Sequence, residues 1–381
     1  MRLLNSFNIK KSRELEIYLV ISITFLLFCV NCGELGKQDI VKEAIVWKEA
    51  MNQNLDWYSS TEAIRLADNV LLYQHKTGGW PKNINMARII SKREFSKIKN
   101  SQANSKIRIS IDNGATYTQI RYLGKVFENT GHERFKKSFL KGVDYLIDAQ
   151  YENGGWPQCY PIIKGYKENI TFNDSAMIGV MKILRNIANQ KYTFVDSSRV
   201  FQAKKAIEKG LEIILSTQII SDRKLTAWCA QYNPINLKPT GGRPYEPPSI
   251  SASESADIVK YLMGIDNPNS EIIRSVDSAI DWLEQVKITG IRLLKKEDPS
   301  SLEGYDLVVG FDSKNSSSIW ARFYEIDTHY PMFIGRDGVV KYALSEIEHE
   351  RRVGYDWFGD WANSLIMQEH RIWVEAWKIK E

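Results

Sequence analysis

Leu72-Tyr73-Gln74-His75-Lys76-Thr77-Gly78-Gly79-Trp80-Pro81 returns as Ile147-Asp148-Ala149-Gln150-Tyr151-Glu152-Asn153-Gly154-Gly155-Trp156-Pro157. In each copy an apolar-periodic segment runs into Gly-Gly and then presents Trp-Pro. Gly accepts the left-handed conformation that ends a helix, and Pro keeps the helix from resuming, so each copy reads as a helix C-terminus followed by an aromatic loop. Repeated helix pairs with aromatic loops at the same end predict an α/α toroid. Such a ring collects its loops at one mouth, where ligands bind.

Outward from these two points the pattern is mostly helical. Ile64, Leu66, Ala67, Val70 and Leu71 form one broad face of a helix over Glu62–Gln74, with Ser59-Ser60-Thr61 as capping candidates. Amphipathic periodicity predicts further helices at Ala115–Glu128, Arg134–Asp148, Asp174–Asn189, Ser198–Ser216, Ser253–Met263 and Glu271–Val286. Strand-like stretches are few, Gly304–Phe311 and Trp320–Tyr324 being the best. Eleven tryptophans, eighteen tyrosines and fourteen phenylalanines exceed what a core usually needs. They read either as helix-packing filler or as sugar-stacking surface in a cleft.

Arg2, Lys10, Lys11 and Arg13 precede an apolar run from Ile17 to Val30, and Cys32-Gly33 follows. The run is shorter than the roughly 20 residues a spanning helix needs, and its order is that of a signal peptide. Residues 1–32 are therefore expected to be a leader, with Cys32 a candidate lipidated first residue, although Asn31 stands where a small residue belongs. Residues 33–60 read as a linker that becomes helical around Lys42–Met51, and 61–381 as one catalytic domain. The product is expected to be secreted, periplasmic or lipid-anchored at the cell surface, and to act as a monomer. Export permits a disulfide between Cys159 and Cys229, and two buried thiols are the alternative. The net charge of +5 is mildly basic and suits an anionic ligand, while no Lys/Arg-rich tract points to nucleic acid.

Four polar clusters fall in loops between the helices. Ile111-Asp112-Asn113-Gly114-Ala115-Thr116 and Ile170-Thr171-Phe172-Asn173-Asp174 both lead into helices. Each reads as an N-cap, or the two together as oxygen donors to one cation such as calcium, which takes six to eight oxygens. Trp228-Cys229-Ala230-Gln231 is followed by Gly241-Gly242-Arg243-Pro244-Tyr245-Glu246-Pro247-Pro248-Ser249. Its prolines hold Arg243 in a defined direction, for function or for a surface salt bridge. Arg322 and Arg336, among aromatics, suit bidentate recognition of carboxylates, or else pair with Glu325 and Asp337. The scattered histidines form no HxH or HExxH, and no GxSxG, Walker loop or GxGxxG is present, so transition-metal and nucleotide chemistry have no support.

Together these segments, with Trp320-Ala321-Arg322-Phe323-Tyr324, resemble the pectate lyases of polysaccharide lyase family ten over roughly Asp68 to Trp357. The resemblance implies a mainly α, incomplete α/α toroid (a helical-hairpin barrel) with long loops, a few short strands and an open groove for polygalacturonate or pectin. It implies Ca2+ held around Asp112, Asn113 and Asp174, and Arg243 as the proton-abstracting base. Arg322 and Arg336 would then hold substrate carboxylates, beside Tyr245 and Glu246. Two departures are visible: Ser175 replaces a second acidic residue after Asp174, and Gly242 stands where alanine is usual.

The chemistry fits these residues. In β-elimination the C5 proton of a galacturonate leaves before the glycosidic oxygen at C4, and cations stabilise the enolate-like charge that develops. Free arginine has a pKa above ~12, so Arg243 as a base predicts an activity optimum well above neutral pH. A glycoside hydrolase would instead need two carboxylates, for which Asp112, Asp174 and Glu246 are candidates. A binding protein that has lost catalysis is the third reading.

Overall fold

The computed structural model of the chain describes residues 45–101, 108–312, 314 and 318–378. The leader at 1–32, with Cys32, lies outside the described residues. Of the helix expected over Lys42–Met51, the described part is α1 (Trp47–Ala50).

Helices alternate between two layers. The outer layer holds α2 (Thr61–Tyr73), α5 (Glu133–Asp148), α7 (Ser197–Ser216) and α9 (Ser270–Gln285). The inner layer holds α4 (Tyr117–Thr130), α6 (Ala176–Ala188) and α8 (Ala252–Met263), and α3 (Lys92–Ser101) sits on a long connection. The helix α6 shows why a sequence takes the inner place: from Ala176 to Leu184 every residue except Lys182 is buried. The outer helices bury one stripe only, as their amphipathic patterns require. Each inner helix packs most extensively on an adjoining outer one, and smaller inner-to-inner and outer-to-outer contacts carry the ring round, which is the incomplete α/α toroid expected from the sequence.

The ring is built on one device used four times. Trp80 Nε1 donates to the Val70 carbonyl, Trp156 Nε1 to Leu146, Trp228 Nε1 to Ile214 and Trp320 Nε1 to Leu283, all at 2.7–2.8 Å. All four indoles are fully buried, and each bond ties the loop after an outer helix back to the end of that helix. A buried indole N–H left without an acceptor would cost about 1–3 kcal/mol. A glutamine repeats alongside: Gln74, Gln150 and Gln218 donate from Nε2 to their own loop and to the next outer helix, at Ser138, Ala206 and Ser275. Thus most of the aromatic excess is packing.

The Gly-Gly pairs act differently from expectation. The helices stop earlier, at Gln74 and Ala149, neither in the left-handed region. Gly78 and Gly154, with φ of 109° and 99°, lie in the following turn. A Cβ there would strike the carbonyl oxygen of Lys141 or Lys209 on the next outer helix, so glycine is required by close approach.

Strands are short and sit on the loops. The expected strand near Gly304–Phe311 is β7 (Tyr305–Phe311), paired antiparallel with β6 (Ile291–Glu297) from Ile291↔Phe311 to Glu297↔Tyr305. The stretch Trp320–Tyr324 splits into β8 (Trp320–Ala321) and β9 (Phe323–Tyr324), with Arg322 between them. β9 is sandwiched by β5 (Ile250–Ser251) and β10 (Pro331–Ile334), and β8 pairs β12 (Phe358–Gly359). Helices α10 (His349–Val353) and α11 (His370–Lys378) follow this sheet. Cys159 and Cys229 are free and buried, the thiol alternative.

Candidate active site

The outer helices α2, α7 and α9 start on side-chain caps, from Ser60, Asp196 and Asn269. None of the three inner helices does. Asp112 and Asp174 are therefore not N-caps. They sit before the cap positions Thr116 and Ser175, in 3₁₀ turns at Asp112–Gly114 and Asn173–Ser175 that lie against each other. The middle residue of each turn is left-handed, Asn113 at φ 51° and Asp174 at φ 50°, and Ser175 follows at φ 59°. Two successive non-glycine residues in that region are strained, and the surrounding structure must hold them there. Ser175 thus keeps the turn's conformation while lacking a charge.

The two turns present different oxygens. Asp112 is 2 % exposed and accepts from Lys82 Nζ and, at 2.6 Å, from Gln158 Nε2. Asn113 is exposed and donates to Asn83 at 2.8 Å. Asp174 is exposed; its Oδ2 accepts from Asn173 and its Oδ1 from Arg322 Nη2 at 3.0 Å. Burial pushes the Tyr117 phenol up, and the charges of Asp257, Asp112 and Asp174 add to it.

The third inner helix contributes a residue that sequence reasoning missed. Glu254 is 3 % exposed and takes Arg322 Nη2 at 2.6 Å and the Ser251 hydroxyl. Its only sequence signal was a Ser-x-x-Glu capping box at Ser251, and in the structure the Ser251 side chain serves the carboxylate instead of the helix. Burial works against the charge on Arg322, but Glu254, Tyr355 and Asp174 outweigh it and hold the guanidinium above its ordinary value.

Two tyrosines bring the arginines together. Tyr245 lies under Arg243 at 5.0 Å, Arg336 at 4.7 Å and Arg351 at 4.7 Å, guanidinium carbon to ring centre. Tyr355 lies under Arg351 at 4.9 Å and Arg322 at 5.0 Å. The electron-rich ring faces let cations approach one another more closely than bare like charges would. Arg351, also missed, is 4 % exposed, has no ion-pair partner among the described residues, and has an unpartnered Nη2. Burial first, then Arg336 and Arg243, hold it below its ordinary value.

The pairings expected for Arg322 and Arg336 are replaced. Glu325 accepts from Thr328 and Tyr342, and Asp337 pairs with Lys341. Arg336 pairs with Glu350. Arg243 is gripped by Glu246, which accepts from its backbone N–H at 2.9 Å and from Nε at 2.9 Å. That grip raises the proton affinity of Arg243 and spends the Glu246 carboxylate on the arginine. Asn173, Gly242 and Glu246 line one small cavity, which places the Arg243 loop beside the Asp174 turn.

The family model for pectic acid lyase matches residues 74–366. The chain belongs to this family. Its fold is similar to that of the family 10 polysaccharide lyase from Cellvibrio cellulosa, with a TM-score of 0.70 and 30% identity over 84% of this chain and 94% of that one. A mutant of that enzyme in complex with trigalacturonic acid gives a TM-score of 0.71 and 29% identity, covering 84% of this chain and 95% of that one. No curated protein sequence matches the chain significantly.

In this polysaccharide lyase the eight residues singled out from the sequence fall into one connected neighbourhood. Asp112, Asn113 and Asp174 stand on the paired turns; Arg322 links Asp174 to Tyr355; and Arg351 links Tyr355 to Tyr245, Arg243 and Arg336. Among the described residues no three His, Cys, Asp or Glu gather as a ready metal cluster. The donors near Asp174 are oxygens, which fits a hard cation. Asp112 is buried and taken by Lys82 and Gln158, whereas Asn113 and Asp174 are exposed, and a cation there would share the Asp174 carboxylate with Arg322 and Asn173.

Proposed function

We propose that this lyase cleaves polygalacturonate by calcium-dependent β-elimination, with Arg243 removing the C5 proton. The observation that carries the reading is the assembly of four guanidinium groups on Tyr245 and Tyr355 beside the Asp174 turn. Such a field suits a chain that carries a carboxylate on every unit. The trigalacturonic acid complex of the similar Cellvibrio cellulosa enzyme supports the same substrate class.

Calcium, held by Asp174 and Asn113 near Asp112, would neutralise a substrate carboxylate and so acidify the adjacent C5 proton. Arg322, Arg336 and Arg351 orient the uronate carboxylates through paired N–H groups. Arg351 Nη2 is buried and unpartnered, so it could take this role only where the incoming chain opens the packing around it. Arg243 must give up a proton before it can take one, and Glu246 opposes that. The reaction therefore requires alkaline conditions, or release of Glu246 by the incoming chain.

A hydrolase needs a free carboxyl as general acid. Asp112, Asp174 and Glu246 each accept from a cationic side chain, which disfavours that use. Export to the periplasm or cell surface, with or without a lipid on Cys32, is proposed on the leader sequence alone.

The test is ultraviolet absorbance during incubation with polygalacturonate, with and without a calcium chelator. The expected result is a rise from the conjugated double bond of the product, abolished by the chelator. New reducing ends without a rise would mean hydrolysis. No change in either would leave a binding protein.

A further inference from the structure

Beside the Arg322 site lies a polar cavity of about 440 Å³ that the mechanism does not use. Its lining includes Ser175, Ser253, Asp257, Lys260, Asp360 and Trp361. Three chain junctions make its wall common with the active site. Ser175 lines the cavity, while its neighbour Asp174 pairs with Arg322. Ser253 lines it, while the adjoining Glu254 holds Arg322 from the other side. The segment Asp360-Trp361 leaves strand β12, which pairs with β8, and the Arg322 backbone N–H donates to Trp357 just before that strand. The cavity therefore adjoins the Arg322 site through residues next to both of its carboxylate partners.

The chemistry changes sharply across that wall. On one side stand the guanidinium groups of Arg243, Arg322, Arg336 and Arg351. Inside the cavity Lys260 is the one cation in the lining, 3.8 Å from Glu369. Asp257 is matched by Lys182 at 2.7 Å, and the exposed Asp360 has no ion-pair partner among the described residues. A uronate carboxylate entering here gains no free guanidinium and meets the Asp360 charge instead. The remaining groups suit an uncharged sugar. Ser175, Ser253 and Asn363 offer donors and acceptors for hydroxyls, and a side-chain carboxylate accepts from them strongly. The half-buried Trp361 ring packs against the Gly359 backbone, where no side chain could fit, and presents apolar surface to the cavity.

We propose that this cavity is a distal subsite that accepts an uncharged pyranose, either a methyl-esterified galacturonate or a neutral sugar within the uronan. The inference rests on the lyase reading and extends it from reaction to substrate pattern. Asp360 repels the ionised uronate, and Trp361 supplies the stacking face.

The test compares kcat/KM of the wild type, Asp360→Lys, Asp360→Asn and Trp361→Phe on four substrates. These are trigalacturonate, fully de-esterified polygalacturonate, the partially methyl-esterified polymer, and a galacturonan interrupted by neutral sugars. Asp360→Lys is expected to lower the preference for the uncharged-unit polymers over the de-esterified one on the order of tenfold, Asp360→Asn by less. Loss of preference for both polymers supports a general uncharged subsite, and loss for one identifies which source it takes. Trigalacturonate cleavage reports that each variant is folded. If the wild type forms no unsaturated product from any of the four substrates, the lyase reading falls and the inference with it. If it does, and the preference is the same in every folded variant, the inference alone is overturned.

Discussion

Arg322 reaches Asp174 at 3.0 Å across 148 positions of sequence, and the same Nη2 holds Glu254. One guanidinium thus joins the second and third inner-helix entries to the strand pair of the fourth loop. Arg322 and Glu254 are both almost fully buried, so neither charge has water to fall back on.

Arg322→Met should therefore damage both stability and activity. Leaving Glu254 as an unpaired buried charge costs about 3–5 kcal/mol. Loss of a cation beside the reacting uronate should lower kcat about 10²-fold or more. Adding Glu254→Gln should restore much of the stability and none of the rate. Urea unfolding and initial rates check this, and a single variant of wild-type stability would show that the pair is not the clasp described.

Glu246→Gln bears on the base. The Glu246 hydrogen bond is the largest cause raising Arg243, and burial, the opposing cause, stays when Glu246 is neutral. The proton affinity of Arg243 must then fall. A rate that depends on deprotonated Arg243 rises with pH until its pKa is passed, so the rising limb of kcat/KM should move to lower pH in the variant. A limb that keeps its position would mean that Arg243 is not the titrating base.

Trp156→Phe and Trp228→Phe test the repeated anchor. Each keeps an aromatic ring but strips the donor to Leu146 or Ile214. Each should cost about 1–3 kcal/mol, since a buried carbonyl loses its partner and a small cavity opens. Midpoints of urea unfolding measure the loss, and similar values at both sites are expected from equivalent geometry.

The helices were legible because burial of one stripe imposes a period that short-range sequence carries. Seven amphipathic segments appear in place, with ends displaced by a few residues where caps and 3₁₀ turns intervene. Trp80 and Trp156 were visible as a repeat because their loops share one spacing. Trp228 and Trp320 play the same part, but the β2 (Ile220–Ser221) and β3 (Lys224–Leu225) hairpin and the β6–β7 hairpin are inserted before them, which erases the spacing. The helix α3 was not anticipated, being too polar to show a burying face.

For the site, sequence alone determined which residue types were concentrated in which loops: the acidic turns at Asp112 and Asp174, the proline-braced Arg243, and the arginines of the fourth loop. Tertiary structure decided their partners. Glu325 and Asp337 stand near Arg322 and Arg336 in sequence, yet Asp174, Glu254 and Glu350 hold them. Glu254 and Arg351 look like ordinary charged helix residues until burial is known. An ion pair depends on distance and on exclusion of water, and both are set by how the ring closes rather than by the order of residues along the chain.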